Sequence, residues 1–200
     1  IVFGDWSSDV CSSDLLFGGR RDTLDRFPFP RSGTFGRVEY LRALESVGGE
    51  YDFSRFVADF HVFASPGRLH TLEFILYGGT FFDTESFDWN SWYLGGRSQL
   101  PGFQPGALSG RQSAVFGLHY RFQVPGLRGL PRDRLYLSAR AAAGNAWGRP
   151  LSGFFEEPAD LRYGGSLGIG IDTPIGAFHL DAGMNDSLEA IVYLSIGNQL

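Results

Sequence analysis

The chain has 200 residues, a formal net charge of −5, 43% hydrophobic residues and 20% charged residues. The negative charge, without a clustered basic face, argues against a nucleic-acid binder, which needs excess lysine and arginine to neutralise phosphates. No run of about 18 apolar residues occurs, which excludes a membrane-spanning helix but not a spanning barrel, whose strands alternate. The 28 glycines and the 16% aromatic content favour strands joined by tight turns.

Residues 5–15 (DWSSDVCSSDL) have no periodicity and differ from everything that follows them. Their reverse translation resembles a common sequencing-library adapter that is translated in frame. We therefore treat residues 1–15 as a non-native segment and residues 16–200 as the domain; the alternative is an ordinary polar loop. The segment holds Cys11, the only cysteine, so the remainder offers neither a disulfide nor a thiol site.

Short segments of alternating hydrophobicity begin near Arg31 and are separated by turn-forming residues, which predicts an antiparallel meander of about nine strands. The first segment, Thr34 to Leu44, is weakly marked, and Gly33 and Gly36 favour a strand over a helix there. The next segment, Arg55 to Ala64, sets an apolar face against a charged face. The apolar face comprises Phe56, Ala58, Phe60, Val62 and Ala64, and the charged face comprises Arg55, Asp59 and His61.

The alternation continues through the middle of the chain. One segment sets Leu72, Phe74 and Leu76 against Thr71, Glu73 and Tyr77, and a weaker strand is expected between Asn90 and Gly96. The clearest pattern runs from Ser113 to Val124, where six apolar side chains share one face. They are Ala114, Phe116, Leu118, Tyr120, Phe122 and Val124, and Gly117, His119, Arg121 and Gln123 face the other way.

Four further segments repeat the pattern towards the C terminus. Their apolar faces are Leu135, Leu137, Ala139 and Ala141; Tyr163, Leu167, Ile169 and Ile171; Phe178, Leu180, Ala182 and Met184; and Val192, Leu194 and Ile196. Their polar faces are Ser138 and Arg140; Arg162, Ser166 and Asp172; His179 and Asp181; and Tyr193 and Ser195. Alternation alone fits either a soluble β-sandwich or a membrane barrel with a wet interior.

Two observations favour the membrane barrel. Short turns such as Ser65–Gly67 and Thr173–Gly176 alternate with longer polar connections. Aromatic residues also cluster near the ends of the predicted strands, as expected for girdles at the two lipid interfaces. These residues are Phe81, Phe82, Phe87, Trp89, Trp92, Tyr93, Trp147, Phe154 and Phe155.

The segment from Ser98 to Gly110 (SQLPGFQPGALSG) carries the most specific signal. It resembles the in-folded loop of the bacterial surface antigen family, the outer-membrane assembly and secretion barrels, whose hallmark is Val-Arg-Gly-Phe or Val-Arg-Gly-Tyr. Its LPGF and LSG elements are most similar to the subgroup whose barrel follows a patatin-like phospholipase domain. Three further stretches, Phe29–Gly33, Ala143–Trp147 and Gly168–Gly176, agree with that subgroup.

The resemblance covers nearly everything after Leu16 and implies a sixteen-stranded transmembrane β-barrel. The loop falls just before the fifth strand from the end, where such a barrel keeps it. About nine strands, an odd number, cannot close as a bacterial barrel, which predicts that the chain is the C-terminal part of a longer domain.

The resemblance also suggests roles for particular residues. The in-folded loop motif is Leu100, Pro101, Gly102 and Phe103; Pro101 stands where most of the family has arginine, so the usual pairing of that arginine with carboxylates of the lumen is lost. For Gly102 and Phe103 the alternative is an ordinary turn with a packed ring. The side chains expected to face the lumen, or otherwise a plain solvated surface, are Arg55, Asp59, His119, Arg121, Arg140 and Asp172.

The last strand is expected to be the one that the assembly machinery recognises, although Leu200 replaces the usual terminal phenylalanine. The alternative is an ordinary edge strand. The recognition residues are Val192, Leu194, Ile196 and Leu200.

Two patterns imitate chemical sites. Gly164 to Gly168 (GGSLG) matches a nucleophile elbow, but an elbow needs a sharp turn at the serine and a following helix. Ser166 instead lies inside an alternating run, so we expect no catalytic residue in this chain. His61, His119 and His179 all fall on polar faces, but we expect the strand order to keep them far apart, which leaves no metal site and no cofactor site.

The leading hypothesis is an outer-membrane barrel that anchors, and helps to translocate, an upstream passenger resembling a patatin-like phospholipase. A barrel that assembles or secretes other proteins is the first alternative, and a soluble β-sandwich binding module is the second. The expected partners are the lipid bilayer, the barrel-assembly machinery and the upstream passenger, with a homodimer left open and nucleic acid excluded.

Overall fold

The computed structural model describes residues 14–47, 52–82, 91–125, 135–148, 160–173 and 176–197. Its strands are β1 (Asp14–Asp22), β2 (Gly33–Ala43), β3 (Phe53–Ala64), β4 (His70–Thr80), β5 (Trp92–Leu94), β6 (Leu108–Gly110), β7 (Gln112–Gln123), β8 (Leu135–Trp147), β9 (Arg162–Thr173), β10 (Gly176–Asn185) and β11 (Ala190–Ile196). A three-residue 3₁₀ helix, Glu45–Val47, follows β2. Within these ranges, no helix is long and apolar enough to cross a bilayer.

Nine of the strands form one antiparallel sheet in the order β1-β2-β3-β4-β7-β8-β9-β10-β11. Neighbours in the sheet are neighbours along the chain, except that β4 pairs directly with β7, with Thr80 opposite Gln112. The intervening connection holds β5 and β6, which pair with each other. The predicted all-β meander of about nine strands is confirmed, and β7 is the fifth strand of the sheet from its C-terminal end.

Two strands differ from the prediction. β1 starts at Asp14, within the segment that we set aside as non-native, and Leu15 pairs with Arg42 of β2. Residues 1–13 lie outside the described residues. The weak strand expected between Asn90 and Gly96 is only the three residues of β5, and it joins a small ribbon with β6 instead of the main sheet.

Exposure across the main sheet is the inverse of that in a soluble protein. The apolar face, formed by the outward side chains, is open: Phe116 is 56% exposed, Leu167 69% and Leu194 71%. The polar face on the other side buries Glu73, His119, Arg121 and Asp181. The predicted faces of β3, β4 and β7 to β11 are confirmed, and a sandwich, which would pack the apolar rows against a second sheet, is the wrong alternative.

Two segments cover the polar face. The β1–β2 connection, residues 23–32, lays the Phe29 ring on that of Tyr136 with 4.2 Å between the ring centroids. The loop tip, residues 95–107, lies between β5 and β6. In an antiparallel meander successive connections lie at opposite ends of the sheet, so the two segments reach the polar face from opposite ends.

The predicted aromatic girdle is wrong for two of its members. Phe81 and Trp147 are 5% and 6% exposed and therefore cannot offer their rings to a bilayer. Phe81 instead packs on Trp92, with ring centroids 5.2 Å apart, because both lie at the base of the connection that carries the loop tip. Tyr93 is 56% exposed, and the predicted members Phe87, Trp89, Phe154 and Phe155 lie outside the described residues.

Candidate functional site: the loop tip on the polar face

The loop tip is a compact, internally hydrogen-bonded structure. Trp92–Leu94 of β5 pairs with Leu108–Gly110 of β6 and closes its base. Within it, the backbone N–H of Gly96 donates to the carbonyl of Phe103 at 2.9 Å, and Ala107 N–H donates to Gln104 O at 3.0 Å. These bonds give the loop tip a defined shape of its own.

Apolar side chains seat the loop tip on the sheet. Leu94 and Leu100 have no exposed surface and Phe103 is 5% exposed, and they pack with Val115 of β7 and Ala142 of β8. Full burial of a leucine or phenylalanine side chain stabilises a fold by about 1.5 to 3 kcal/mol. The polar face therefore holds a small apolar patch that matches the loop tip.

Gly102 allows the closest approach between the loop tip and the sheet. Its φ is +89°, in the region that side chains rarely adopt, and a Cβ there would overlap the backbone of Met184 and Asn185. Any other residue at this position would be strained and would clash. Pro101, the preceding residue, is fully buried, and its carbonyl lies where a Cβ on Gly164 would stand.

One tyrosine fastens the loop tip to the last strand. The Tyr193 hydroxyl of β11 donates to the Phe103 carbonyl at 2.7 Å and accepts from the Gly102 N–H at 2.8 Å. Both backbone groups are thereby satisfied where water has little access. The loop tip and β11 are held together although they are about 90 residues apart in sequence.

Two arginines complete the attachment. Arg97 Nε lies 2.5 Å from Asp181 Oδ2 of β10, and the two side chains are 10% and 6% exposed. Arg140 of β8 donates to the carbonyls of Arg97 and Ser98 at 2.8 and 2.7 Å. The loop tip therefore contacts β8, β10 and β11 through polar groups, and it contacts β7 and β8 through apolar ones.

The buried polar face also joins two histidines that we expected to be far apart. His61 Nδ1 of β3 lies 2.8 Å from one oxygen of Glu73, and His119 Nδ1 of β7 lies 2.8 Å from the other oxygen. The expectation was wrong for this pair, because β4, which carries Glu73, lies between β3 and β7. Asp59 Oδ1 is 3.1 Å from His61 Nε2 and extends the cluster.

The other residues predicted to face the lumen lie on the polar side with differing burial. Arg121 is 6% exposed. Arg55, Asp59 and Asp172 are half-buried, and the Arg55 guanidinium lies 6.0 Å from the centre of the Trp92 ring. In β11, Val192, Leu194 and Ile196 are 65% to 71% exposed on the apolar face. Leu200 lies outside the described residues.

Two carboxylates outside the strands are held ionised by their neighbours. Two hydrogen bonds of 2.7 Å from the Arg162 guanidinium lower the pKa of Asp186, in the β10–β11 turn, to about 2. Burial raises the pKa of Asp25 in the β1–β2 connection, but N–H donation from Arg31 and Ser32 outweighs it and the net pKa is lowered. These hydrogen bonds define the shapes of the two connections at the ends of the sheet.

The two patterns that imitate chemical sites in the sequence can be compared with the described residues. They contain no group of three or more histidine, cysteine or acidic side chains placed to hold a metal ion. Ser166 of the elbow-like sequence lies in the middle of β9, opposite Arg140 of β8 and Gly183 of β10. A serine held in a continuous strand lacks the turn that exposes a nucleophile.

Sequence reasoning singled out the loop motif but missed two residues that attach the loop tip, and it missed the inward fold of the β1–β2 connection. Arg97, Tyr193 and the inward fold of the β1–β2 connection carried little local signal. The alternation in β11 predicts that Tyr193 lies on the polar face, but it does not predict a partner for its hydroxyl. The segment Phe29–Gly33 is marked in the sequence only by its resemblance to the family subgroup. Arg97 and Asp181 are 84 positions apart in the sequence, so their pairing cannot be predicted from local spacing.

Comparison with known proteins identifies a family and a similar fold. A model of the Omp85 superfamily domain matches residues 5–199, a range that includes part of the segment we set aside. The curated proteins give no significant match. The crystal structure of BamA from Haemophilus ducreyi lacking POTRA domains 1–3 is similar, with a TM-score of 0.75 and 15% identity over 90% of this chain. The match covers 40% of that chain, so the present chain spans about two fifths of its length.

The family match and the physical pattern agree. A surface that exposes rows of leucine, isoleucine and phenylalanine while burying arginine and glutamate suits hydrocarbon outside and a polar interior. The chain belongs to the Omp85 superfamily, and its nine-stranded antiparallel sheet is part of a β-barrel of the bacterial outer membrane.

Proposed function

We propose that this chain is the barrel portion of a protein that anchors an upstream passenger, resembling a patatin-like phospholipase, in the outer membrane and helps to translocate it. The LPGF and LSG elements, Leu100–Phe103 and Leu108–Gly110, support this branch of the family. The barrel contributes no catalytic group, and any lipid hydrolysis belongs to the passenger.

The anchoring mechanism is physical. Paired strands satisfy backbone hydrogen bonds inside the bilayer, and the apolar face contacts acyl chains. Strands β2 to β4 and β7 to β10 have 10 to 13 residues, which is enough to span the hydrocarbon core when tilted by about 40°.

The loop tip acts as an internal strut of this barrel. The observation that carries the proposal is its attachment to β8, β10 and β11 through Arg140, Asp181 and Tyr193. Pro101 stands where most of the family has an arginine and has no guanidinium. Here Arg97 provides the guanidinium that pairs with Asp181. A strut of this kind narrows the lumen and fixes the position of the last strand.

A second candidate is a barrel that assembles or secretes other proteins. The likeness of its fold to BamA favours this candidate, although the likeness extends only to the fold. The sequence upstream distinguishes the two. A Gly-x-Ser-x-Gly elbow followed by an Asp-Gly pair indicates the phospholipase branch, and periplasmic repeats alone indicate the assembly or two-partner branch.

The test uses the full-length protein in its native outer membrane. A fluorophosphonate probe should label an upstream serine hydrolase that co-purifies with the outer membrane, and deletion of residues 16–200 should release that labelled protein from the membrane. Depletion of the protein should leave the amounts of other barrel proteins unchanged. Loss of those other barrels on depletion, with no labelled hydrolase, would contradict the passenger proposal and support the assembly role.

A further inference from the structure

A small polar cavity lies between the β1–β2 connection and the loop tip, enclosed by the polar face. Its volume is about 40 Å³, which is room for about three water-sized occupants. Its polar lining comprises Glu73, Arg97, His119, Arg121, Arg140 and His179. The cavity is thus lined by three guanidinium groups and one carboxylate.

One carboxylate cannot balance the three guanidinium charges of the lining. Both oxygens of Glu73 are engaged by His61 and His119 at 2.8 Å. The guanidinium of Arg97 has its own carboxylate, Asp181, at 2.5 Å. Arg121 and Arg140 therefore depend on other partners.

Neither of these two arginines forms an ion pair with a carboxylate in the part of the chain that the structure describes. Arg140 donates to the Arg97 and Ser98 carbonyls, and its Nη2 lies 3.1 Å from His119 Nδ1. Arg121 donates to the Pro30 carbonyl at 2.5 Å. Carbonyl oxygens satisfy hydrogen bonds but do not neutralise a buried charge.

Arg121 has the less satisfied environment of the two arginines. It is 6% exposed, and its Nε has no hydrogen-bond partner. The rings of Phe29 and Phe63 flank its guanidinium at 5.7 and 5.6 Å, which limits access of water. A buried guanidinium with an unsatisfied N–H is costly unless an anion completes its environment.

We infer that this cavity binds a small monovalent anion, chloride in the first instance, between Arg121 and Arg140. Guanidinium N–H groups are the donors that anions require. Arg121 and Arg140 face the single carboxylate of Glu73, so the lining has one positive charge in excess, which favours a monovalent anion. The anion would join the β1–β2 connection, which contacts Arg121, to the loop tip, which contacts Arg140. It would thereby hold the two segments that enter from opposite ends of the barrel.

The test compares the thermal unfolding of the purified full-length protein in chloride and in gluconate, an anion too large for the cavity, at equal ionic strength. Chloride should raise the unfolding midpoint, and each tenfold increase in its concentration above the dissociation constant should raise the folding constant about tenfold, without a plateau. Arg121→Gln should abolish the difference between the two salts. Arg20→Gln, at an arginine whose side chain is 66% exposed on β1, should preserve it.

Crystals of the wild-type protein soaked in bromide give a measurement that does not depend on folding of the variant. An anomalous peak within hydrogen-bond distance of Arg121 Nε supports the site. Equal midpoints for the wild type in chloride and gluconate, a chloride shift that survives Arg121→Gln, or no anomalous peak at saturating bromide would overturn the inference.

Discussion

Replacement of Leu118 by arginine tests most directly which side of the sheet meets lipid. Leu118 is 42% exposed on the apolar face and lies in the middle of β7, with Gln112 and Gln123 at its two ends. An arginine at the midplane of a barrel costs about 2 to 4 kcal/mol, falling to about 0 to 1 near the interfaces. We therefore expect the free energy of unfolding to fall by about 2 to 4 kcal/mol.

The matched control is Tyr163→Arg. Tyr163 is 56% exposed on the same face but is the second residue of β9. Five residues separate it from the centre of its strand, and at about 3.3 Å per residue and a tilt of about 40° this is about 12 Å from the midplane. That depth is the boundary of the apolar band, so the control should lose no more than about 1 kcal/mol.

The assay is denaturant titration of the full-length protein refolded into lipid vesicles, followed by tryptophan fluorescence. A position on the polar face, such as Gln123, is unsuitable as a control. Its side chain is 6% exposed, so an arginine there would be overpacked whichever solvent the face meets. Equal losses for Leu118→Arg and Tyr163→Arg would refute the assignment of the apolar face to lipid.

Three further predictions concern the attachment of the loop tip and the last turn. Tyr193→Phe removes the hydroxyl that serves Gly102 and Phe103, and should cost about 1 to 3 kcal/mol in the same titration because a buried N–H is left unpaired; an unchanged midpoint would contradict the contact. Arg97→Gln and Asp181→Asn should each raise single-channel conductance in planar bilayers, and the double variant should raise it little further. Strictly additive effects would show that the two side chains act separately. Asp186→Asn should lower stability above about pH 3.8 and lose its effect as the pH falls through about 2, since the folded pKa of Asp186 lies below its ordinary value; a difference that persists below pH 2 would point to another cause.

The faces of the strands were predictable because they follow from a local rule. Side chains alternate along a strand, so once Phe116 is assigned to one face, Leu118 shares that face and His119 takes the other. No knowledge of neighbouring strands is needed. The same rule predicted the polar side of Arg140 and Asp181, which lie on different strands and meet the same loop tip.

Contacts between distant segments were not predictable, because they depend on the register of whole strands. The pairing of β4 with β7 places His119 opposite Glu73, and the pairing of β3 with β4 places Phe63 opposite Glu73. Both histidines reach Glu73 only through this combination. The burial of Phe81 and Trp147 was unpredictable for the same reason. The local sequence at a strand end does not reveal whether an aromatic ring faces lipid or packs at the base of an in-folded loop.

The attachment of the loop tip limits how the lumen can open. The apolar side chains of the loop tip, Leu100 and Phe103, could shift along the sheet at little cost, because hydrophobic contacts are not directional. The ion pair of Arg97 and the hydrogen bonds of Tyr193 are directional and bring together groups that would remain buried and unpaired if the loop tip moved by a few ångströms. If the proposed passenger crosses this lumen, it must therefore either displace the loop tip completely, with replacement of those polar contacts by water, or pass beside it on the part of the barrel wall that the loop tip does not touch.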